Sequence, residues 1–486
     1  MSASLKEQTL SGIIWSGLQK SGSLFLGFIS SIVLARLLTP QDYGCIGMLA
    51  IFIAVSSTFI DGGFGSALIQ KSKPTEEDYS TIFIWNLFLS SVLYTILFIG
   101  APSVANFYKT PILSDVLRVQ GVILVINALK IIPVNRLRKT LKFKTIAVTE
   151  VTVSSISLVI TIILAWRGYG VWALVAQQIS VSLLSAIMYW YSSKWKPCLR
   201  FSRTSLRELF SFGGYLLAAN LINTFSNNIQ GLLIGRFFNP VVTGYYSKAR
   251  QTENLASTLV SQIMDQVSYP VLVQAKDNMQ MMKAMLKKFI GILAFISFPM
   301  MALLILLAYP VFILLYSDTW VESIPYFQIL CVGGLAVCLQ GINYYAVAAI
   351  GKSRDIFKWT FIKRIIGLGL IIAGFYIGGI NGLLWGSVMV SHLIYWINAY
   401  LCSKYIGYSL KEQFFDLIPI GVVTILSFGI TYISEGFLPE NIYVKGAIQF
   451  VIFCSLYLSL SLLLRIQSFE NMREIVKILK KKLIFR

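Results

Sequence analysis

Apolar residues run along nearly the whole chain in blocks of about 20, separated by short clusters of charged, polar, glycine and proline positions. At 1.5 Å per residue, a helix of that length crosses the roughly 30 Å hydrocarbon core of a bilayer. The pattern predicts about fourteen such helices, near 10–35, 44–67, 80–107, 113–134, 145–166, 170–191, 207–235, 243–269, 286–309, 321–350, 355–377, 380–402, 413–434 and 443–465. The expected fold is therefore an all-α polytopic membrane protein. No gap between blocks could hold a soluble domain, so the work of this chain is done within the membrane.

The blocks repeat. Arg36-Leu-Leu-Thr-Pro40, followed by Gly44, closes the first span and opens the second; Arg236-Phe-Phe-Asn-Pro240, followed by Gly244, does the same two hundred residues later. Gly168-Tyr-Gly-Val-Trp172 joins spans five and six, and Gly379-Ile-Asn-Gly382-Leu-Leu-Trp385 joins spans eleven and twelve. One six-helix unit used twice accounts for both matches, and an even number of spans makes the copies parallel in the membrane. The expected organisation is a first lobe at 1–191, a linker at 192–206, a second lobe at 207–403, two added helices at 404–466 and a basic amphipathic tail at 467–486. Met279, Met282, Met285 and Leu286 lie opposite Lys283 and Lys287, which predicts a separate amphipathic helix on the membrane surface. The tail alternates Ile475, Ile478 and Leu479 with Arg473, Lys477 and Lys480, which predicts contact with anionic lipids of the inner leaflet.

Composition agrees with the pattern. The chain is 56% apolar and 13% charged, with a mean hydropathy of +0.72, against about 25% charged residues in a soluble domain. The first span is too long, and lacks the small-residue site, for a cleaved signal peptide, so it is expected to be retained. Six cysteines show no metal or redox spacing, and the single His392 lies within a span, where packing or pore lining is expected rather than metal binding. A net charge of +20 would point to nucleic acid in a soluble protein. Here the cations cluster in alternate loops, around Lys71, Arg136–Lys144, Lys194–Arg207, Lys276–Lys288, Lys352–Arg364, Lys404–Lys411 and the tail. The opposite loops offer little beyond Arg36, Lys109, Arg118, Arg167, Arg236 and Lys445. That bias places both termini in the cytoplasm and removes nucleic acid as a partner.

Ionisable and polar residues inside spans mark cavities or partners. Ser16, Lys20, Ser23, Gly27 and Ser30 form one stripe on span one; Asn220, Asn223, Asn227 and Gly231 form a similar stripe on span seven. Small-residue packing between helices would give the same pattern. Because the two stripes sit on equivalent helices, a central water-filled cleft between them is favoured. Span eight carries Lys248, Arg250, Gln251, Thr252, Glu253 and Asn254, with Glu253 placed to neutralise Arg250 one turn earlier. Asp61 lies at the depth of Lys20, so the two are expected to pair, and Lys130 with Glu150 reads as a snorkelling bridge. Phosphate loops, zinc-protease motifs and nucleophile elbows are missing from the sequence, which argues against an enzyme. A cationic cleft suits an anionic cargo.

Leu37-Leu-Thr-Pro-Gln-Asp-Tyr-Gly44, Gly62-Gly-Phe-Gly-Ser-Ala-Leu-Ile-Gln70, Phe143-Lys-Thr-Ile-Ala147, Gly168-Tyr-Gly-Val-Trp-Ala-Leu-Val-Ala-Gln177 and Gly244-Tyr-Tyr-Ser-Lys-Ala-Arg-Gln251 resemble the polysaccharide-transporter family of lipid-linked oligosaccharide flippases. That family lies within the multidrug/oligosaccharidyl-lipid/polysaccharide exporter superfamily, and colanic-acid and teichuronic-acid exporters look most similar. The resemblance implies two pseudo-symmetric six-helix lobes in a V-shaped cleft, with two C-terminal helices lining a lateral groove. It implies alternating-access export of an undecaprenyl-diphosphate-linked repeat across a bacterial inner membrane, for capsule, exopolysaccharide or O-antigen, alongside the polymerase and export machinery of the same pathway. Cleft cations from helices 1 and 8 map onto Lys20, Lys248 and Arg250 as the diphosphate site, while helix 2 offers Asp61 in place of a cation. Ser23, Asn220, Asn223, Asn227 and Gln251 are then the sugar-facing candidates, and Asp61 and Glu253 the carboxylates for any Na⁺ or H⁺ coupling, with no other cofactor and no metal. Arg36, Pro40, Gly44, Arg236, Pro240 and Gly244 are the hinge or gate candidates. Two alternatives stay open. A multidrug cation exporter should show a dominant acidic pocket, which the intramembrane cations oppose; a membrane polymerase or glycosyltransferase should carry a large catalytic periplasmic loop, which the spacing of the spans leaves no room for.

Overall fold

The computed structural model describes residues 3–71, 74–198 and 200–473, and almost all of them are helical. The helices are α1 (Ala3–Leu37), α2 (Pro40–Asp61), α3 (Phe64–Gln70), α4 (Glu76–Phe107), α5 (Ile112–Lys139), α6 (Phe143–Trp166), α7 (Val171–Ser193), α8 (Arg203–Phe237), α9 (Pro240–Gln274), α10 (Met279–Leu306), α11 (Ala308–Tyr316), α12 (Ile324–Ala349), α13 (Ser353–Ile406), α14 (Leu410–Ile433) and α15 (Ile442–Leu463). Among the described residues, eleven helices are long and apolar enough to cross a membrane. One of these, α13, is two apolar segments broken at Gly378 and Gly379. Both α8 and α9 run for 35 residues and are more polar.

Local chemistry sets the ends. Thr39 accepts from the backbone N–H of Asp42 while Asp42 Oδ2 accepts from the Thr39 N–H at 2.9 Å, a capping box that opens α2 at Pro40. Asn239 Oδ1 accepts from the Val242 N–H at 2.9 Å, which caps the corresponding start of α9 at Pro240. The second sequence match also has a backbone counterpart. Gly170 (φ 54°, ψ −129°) precedes α7, and Gly379 (φ 56°, ψ −132°) precedes the second half of α13. Only glycine adopts that conformation without strain. The two joints are therefore turned by the same dihedral angles.

The chain divides into two compact units, Met1–Ser247 and Lys248–Arg486, with the division inside α9. In the first unit α1 packs along α6, α4 along α5, α5 and α6 along α7, and α2 along α8. Met48, Leu49, Ala101, Ala105, Leu113, Leu117 and Val175 form one of its buried clusters. The segment between α7 and α8 is stitched to the start of α4. Trp195 Nε1 donates to Glu76 at 2.9 Å, the Cys198 N–H to Ser80 Oγ at 2.9 Å, and the Ser202 N–H to Thr81 Oγ1 at 3.0 Å. Lys71 bridges Asp78 of α4 and Glu208 of α8, both within 3.2 Å.

In the second unit α12 packs along α10 and α13, and α14 along α10 and α15. The halves of α13 form a tight hairpin: a β-carbon on Gly374 would lie 2.2 Å from the Gly382 carbonyl oxygen, and one on Gly382 would lie 2.0 Å from that of Gly374. Glycine pairs allow helices to approach this closely. The separate surface helix expected at Met279–Leu286 is instead the first two turns of α10. Met282 and Leu286 are fully buried, and Lys283 and Lys287 reach Glu412 and Asp416 of α14 at 2.7 and 2.8 Å. Nothing between Leu286 and Gly291 breaks a helix, so the amphipathic turns continue into the span. Of the expected tail, residues 474–486 lie outside the described residues.

Candidate functional site

The repeated joint is where the candidate residues come closest together. Inside the first unit, a β-carbon on Gly44 would fall 1.7 Å from the carbonyl oxygen of Pro240, and one on Gly244 would fall 1.8 Å from that of Pro40. Each helix start thus rests its glycine on the proline carbonyl of the other. The close approach continues along α2 and α8: a β-carbon on Gly235 would lie 2.7 Å from Met48 Cγ, and one on Gly231 would lie 3.3 Å from the Gly47 carbonyl oxygen. Thr58 and Thr224 share a hydrogen bond of 2.9 Å, and Tyr246 donates to Gln230. Arg236 donates to the Phe107 carbonyl at 2.8 Å and lies over the Phe107 ring; Arg36 is exposed. Sequence marked Pro40, Gly44, Pro240 and Gly244 as two similar joints; the structure brings them together as one reciprocal crossing.

The polar stripes divide. On α1, Lys20 is exposed, Ser23 half-buried, and Ser30 accepts from Gln177 of α7 at 3.0 Å. On α8, Asn220 and Asn227 are exposed and Asn223 is half-buried. Lys20 and Asp61 do not pair: α1 follows α6 while α2 follows α8, so equal depth does not bring their side chains together. Glu150 accepts from Tyr189 of α7, with no ion pair to Lys130. Tyr189 reaches the carboxylate that the expected bridge had assigned to lysine.

On α9 the three charges differ in setting. Lys248 is fully buried, its ammonium 3.9 Å from the centre of the Tyr316 ring and 5.7 Å from that of Trp320. Ring faces attract a desolvated cation. Arg250 is about a third exposed, at 38%, and reaches Glu253 at 3.4 Å; Glu253 is 1% exposed and also accepts from Ser257. A β-carbon on Gly334 of α12 would sit 3.1 Å from the Glu253 carboxylate, so glycine there makes room for it. Gln251 is exposed. Burial separates Lys248, whose ammonium lies against aromatic faces, from the partly exposed Arg250 and the exposed Gln251.

Two features were not visible in the sequence. An apolar cavity of about 320 Å³ lies among Phe298, Ala302, Ile305, Leu335, Thr424 and Phe428, on α10, α12 and α14. Lys363, which sequence grouped with the loop cations, lies well inside α13 and is 6% exposed. Its distance past Ser353 was the only available signal.

Residues 33–325 match the model of a family described as polysaccharide biosynthesis protein. Over 441 residues the chain is 24% identical to the teichuronic acid biosynthesis protein TuaB of Bacillus subtilis (strain 168), covering 89% of this chain and 91% of that protein. It is 24% identical over 397 residues to the lipopolysaccharide biosynthesis protein WzxC of Escherichia coli (strain K12), covering 80% and 79%. Among solved structures, the lipid II flippase MurJ in an inward closed conformation is similar in fold, with a TM-score of 0.77, 15% identity and coverage of 93% of this chain and 99% of that one. An inward-facing multidrug transporter of the MATE family has a TM-score of 0.61 at 15% identity, covering 82% and 98%.

Proposed function

The chain belongs to the polysaccharide biosynthesis protein family, and from that premise we propose that it flips a polyprenyl-diphosphate-linked oligosaccharide from the cytoplasmic to the periplasmic leaflet of a bacterial inner membrane. The observation that carries this reading is likeness along nearly the full length to proteins named for teichuronic acid and lipopolysaccharide biosynthesis, in a fold similar to a lipid II flippase. It is transport, and no covalent step is needed. The diphosphate is assigned to Lys20 of the first unit and to Arg250 and the aromatic-enclosed Lys248 of the second. Ser23, Asn220, Asn223, Asn227 and Gln251 meet sugar hydroxyls, whose hydrogen bonds are exchangeable with water. The apolar cavity on α10, α12 and α14 takes part of the polyprenyl tail. The glycine–proline crossing is the fixed point about which access alternates. A membrane potential negative inside favours outward movement of the anionic headgroup by about 2.3 kcal/mol per charge per 100 mV. H⁺ exchange at Asp61 or Glu253 adds to it.

The test is reconstitution in liposomes with a fluorescent or radiolabelled polyprenyl-diphosphate oligosaccharide, scored by loss of accessibility in the outer leaflet. Wild-type protein should accelerate equilibration between leaflets, and Lys20→Ala should lose most of that acceleration with its unfolding midpoint unchanged. Equal rates in protein-containing and empty liposomes would remove the flippase reading.

This reading places the Lys194–Arg207 connector in the cytoplasm. Cys198, in that connector, is the exposed cysteine among the described residues. Its thiol is held below the ordinary cysteine range by its hydrogen bond to Ser80 Oγ, 3.1 Å away, and by the Arg200 backbone N–H. A larger thiolate fraction speeds alkylation near neutral pH. A membrane-impermeant maleimide is therefore expected to label Cys198 rapidly in inside-out vesicles and not in intact cells, with Ser80→Ala slowing the reaction. Labelling from the outside would invert the orientation.

A further inference from the structure

Lys363 stands ten residues into α13, about 15 Å along the helix from its start. Its side chain folds inward, where Nζ donates to Asn398 Oδ1 at 2.6 Å across the α13 hairpin. Asn398 Nδ2 donates in turn to the Gln340 carbonyl of α12 at 3.1 Å. One turn further along α12, Asn343 donates to Gln413 Oε1 of α14 at 3.0 Å, and Tyr395 of α13 donates to the same oxygen at 3.2 Å. Asn343 Oδ1 is buried and accepts nothing among the described residues. No carboxylate of the described residues lies within ion-pairing distance of Lys363. Among the described residues, the Lys363 ammonium therefore has a neutral amide oxygen, and no carboxylate, as its partner.

Such an arrangement is costly, because a buried charge is ordinarily matched by a counter-charge. A helix that only needed filling at this place would do better with leucine or methionine. Amide and carbonyl oxygens are also the donor set that hard inorganic cations take. An ammonium carries the same charge as Na⁺ or K⁺ and binds the same oxygens, but it is covalently attached and never dissociates.

We propose that Lys363 is a resident monovalent cation: its tethered ammonium, on Asn398 Oδ1, fills a polar interior between α12 and the α13 hairpin that would otherwise take Na⁺ or K⁺ from solution. The second unit thus carries this charge at any external salt composition. The transport consequence rests on the flippase reading: cargo movement should be indifferent to replacing Na⁺ and K⁺ by N-methylglucamine at constant ionic strength and potential.

The deciding experiment needs no cargo. Thermal unfolding of the detergent-purified full chain is compared in NaCl, KCl and N-methylglucamine chloride at equal ionic strength. The wild type and Lys363→Arg should show the same midpoint in all three. Lys363→Ala should unfold at a lower midpoint in N-methylglucamine, and Na⁺ or K⁺ should raise it saturably toward the wild-type value. Should the alanine variant fail to fold, Lys363→Gln, which keeps most of the length and loses the charge, is read in its place. A variant midpoint that responds to the three salts no differently from wild type overturns the proposal and leaves Lys363 a packing residue. A wild-type midpoint that itself rises with Na⁺ or K⁺ overturns it too. Failure of the liposome assay on wild-type protein would instead count against the flippase reading and leave this result standing.

Discussion

Alanine at Gly44 is expected to unfold the protein at markedly lower temperature and to stop translocation. The added β-carbon would fall 1.7 Å from the Pro240 carbonyl oxygen, roughly 1.5 Å inside an ordinary carbon–oxygen contact of about 3.2 Å. That oxygen belongs to backbone, so no rotamer change relieves the overlap, and the helix starts must part. Overpacking in a well-packed interior costs about 1–3 kcal/mol, and an immovable neighbour puts this position at the upper end. Alanine favours a helix over glycine by about 1 kcal/mol, so the substitution is not harmful in itself. Gly100 of α4, whose added β-carbon would meet nothing within 4 Å, is the control and should be neutral or slightly stabilising. Gly244→Ala should behave like Gly44→Ala. The double variant should cost clearly less than the sum, because the first substitution has already separated the helices. Chemical or thermal unfolding of the four variants against wild type measures this. Strict additivity would show that the two contacts are independent, and the shared crossing would have to be abandoned.

Arg250→Ala is the second large effect. It leaves the Glu253 carboxylate, 1% exposed, with Ser257 as its remaining partner named above. Removing one member of a buried ion pair costs about 3–5 kcal/mol; the 38% exposure of Arg250 brings the expectation down to about 2 kcal/mol. Adding Glu253→Gln removes the stranded charge and should restore most of the lost stability. Translocation separates the two roles of the arginine. If Arg250 touches the diphosphate, both the single and the double variant lose translocation although the double is stable. Recovery of translocation in the double variant would confine Arg250 to neutralising Glu253.

The spans and the repeated joint were legible because hydrophobic length, proline and glycine act locally. Thr39 and Asn239 cap their helices where the sequence put the breaks, and the Gly170 and Gly379 turns fall where the second match lies. What the sequence left open depends on direction around a helix and on distant partners. Depth counting put Lys20 level with Asp61 but gave no azimuth, and the two helices turn to different neighbours. Loop-charge counting placed Lys363 with its basic neighbours, because a tally along the chain does not distinguish a side chain at the helix start from one ten residues inside it. The aromatic setting of Lys248 is supplied by Tyr316 and Trp320, 68 and 72 residues further along the chain. The turns at 279–286 carry one apolar face whether that face meets lipid or protein; α12 and α14 packing on α10 made it protein.

The crossing of Pro40 and Gly44 with Pro240 and Gly244 has the form of an isologous interface, in which residue i of one copy meets residue j of the other and j meets i. Two separate chains could not be held by so small a patch. Within one chain the partners cannot diffuse apart, so no further contact is needed to bring them together. Fusion of the copies therefore permits an interface too weak to survive dissociation. Its symmetry is also closed, since each glycine lies against the other copy's proline carbonyl.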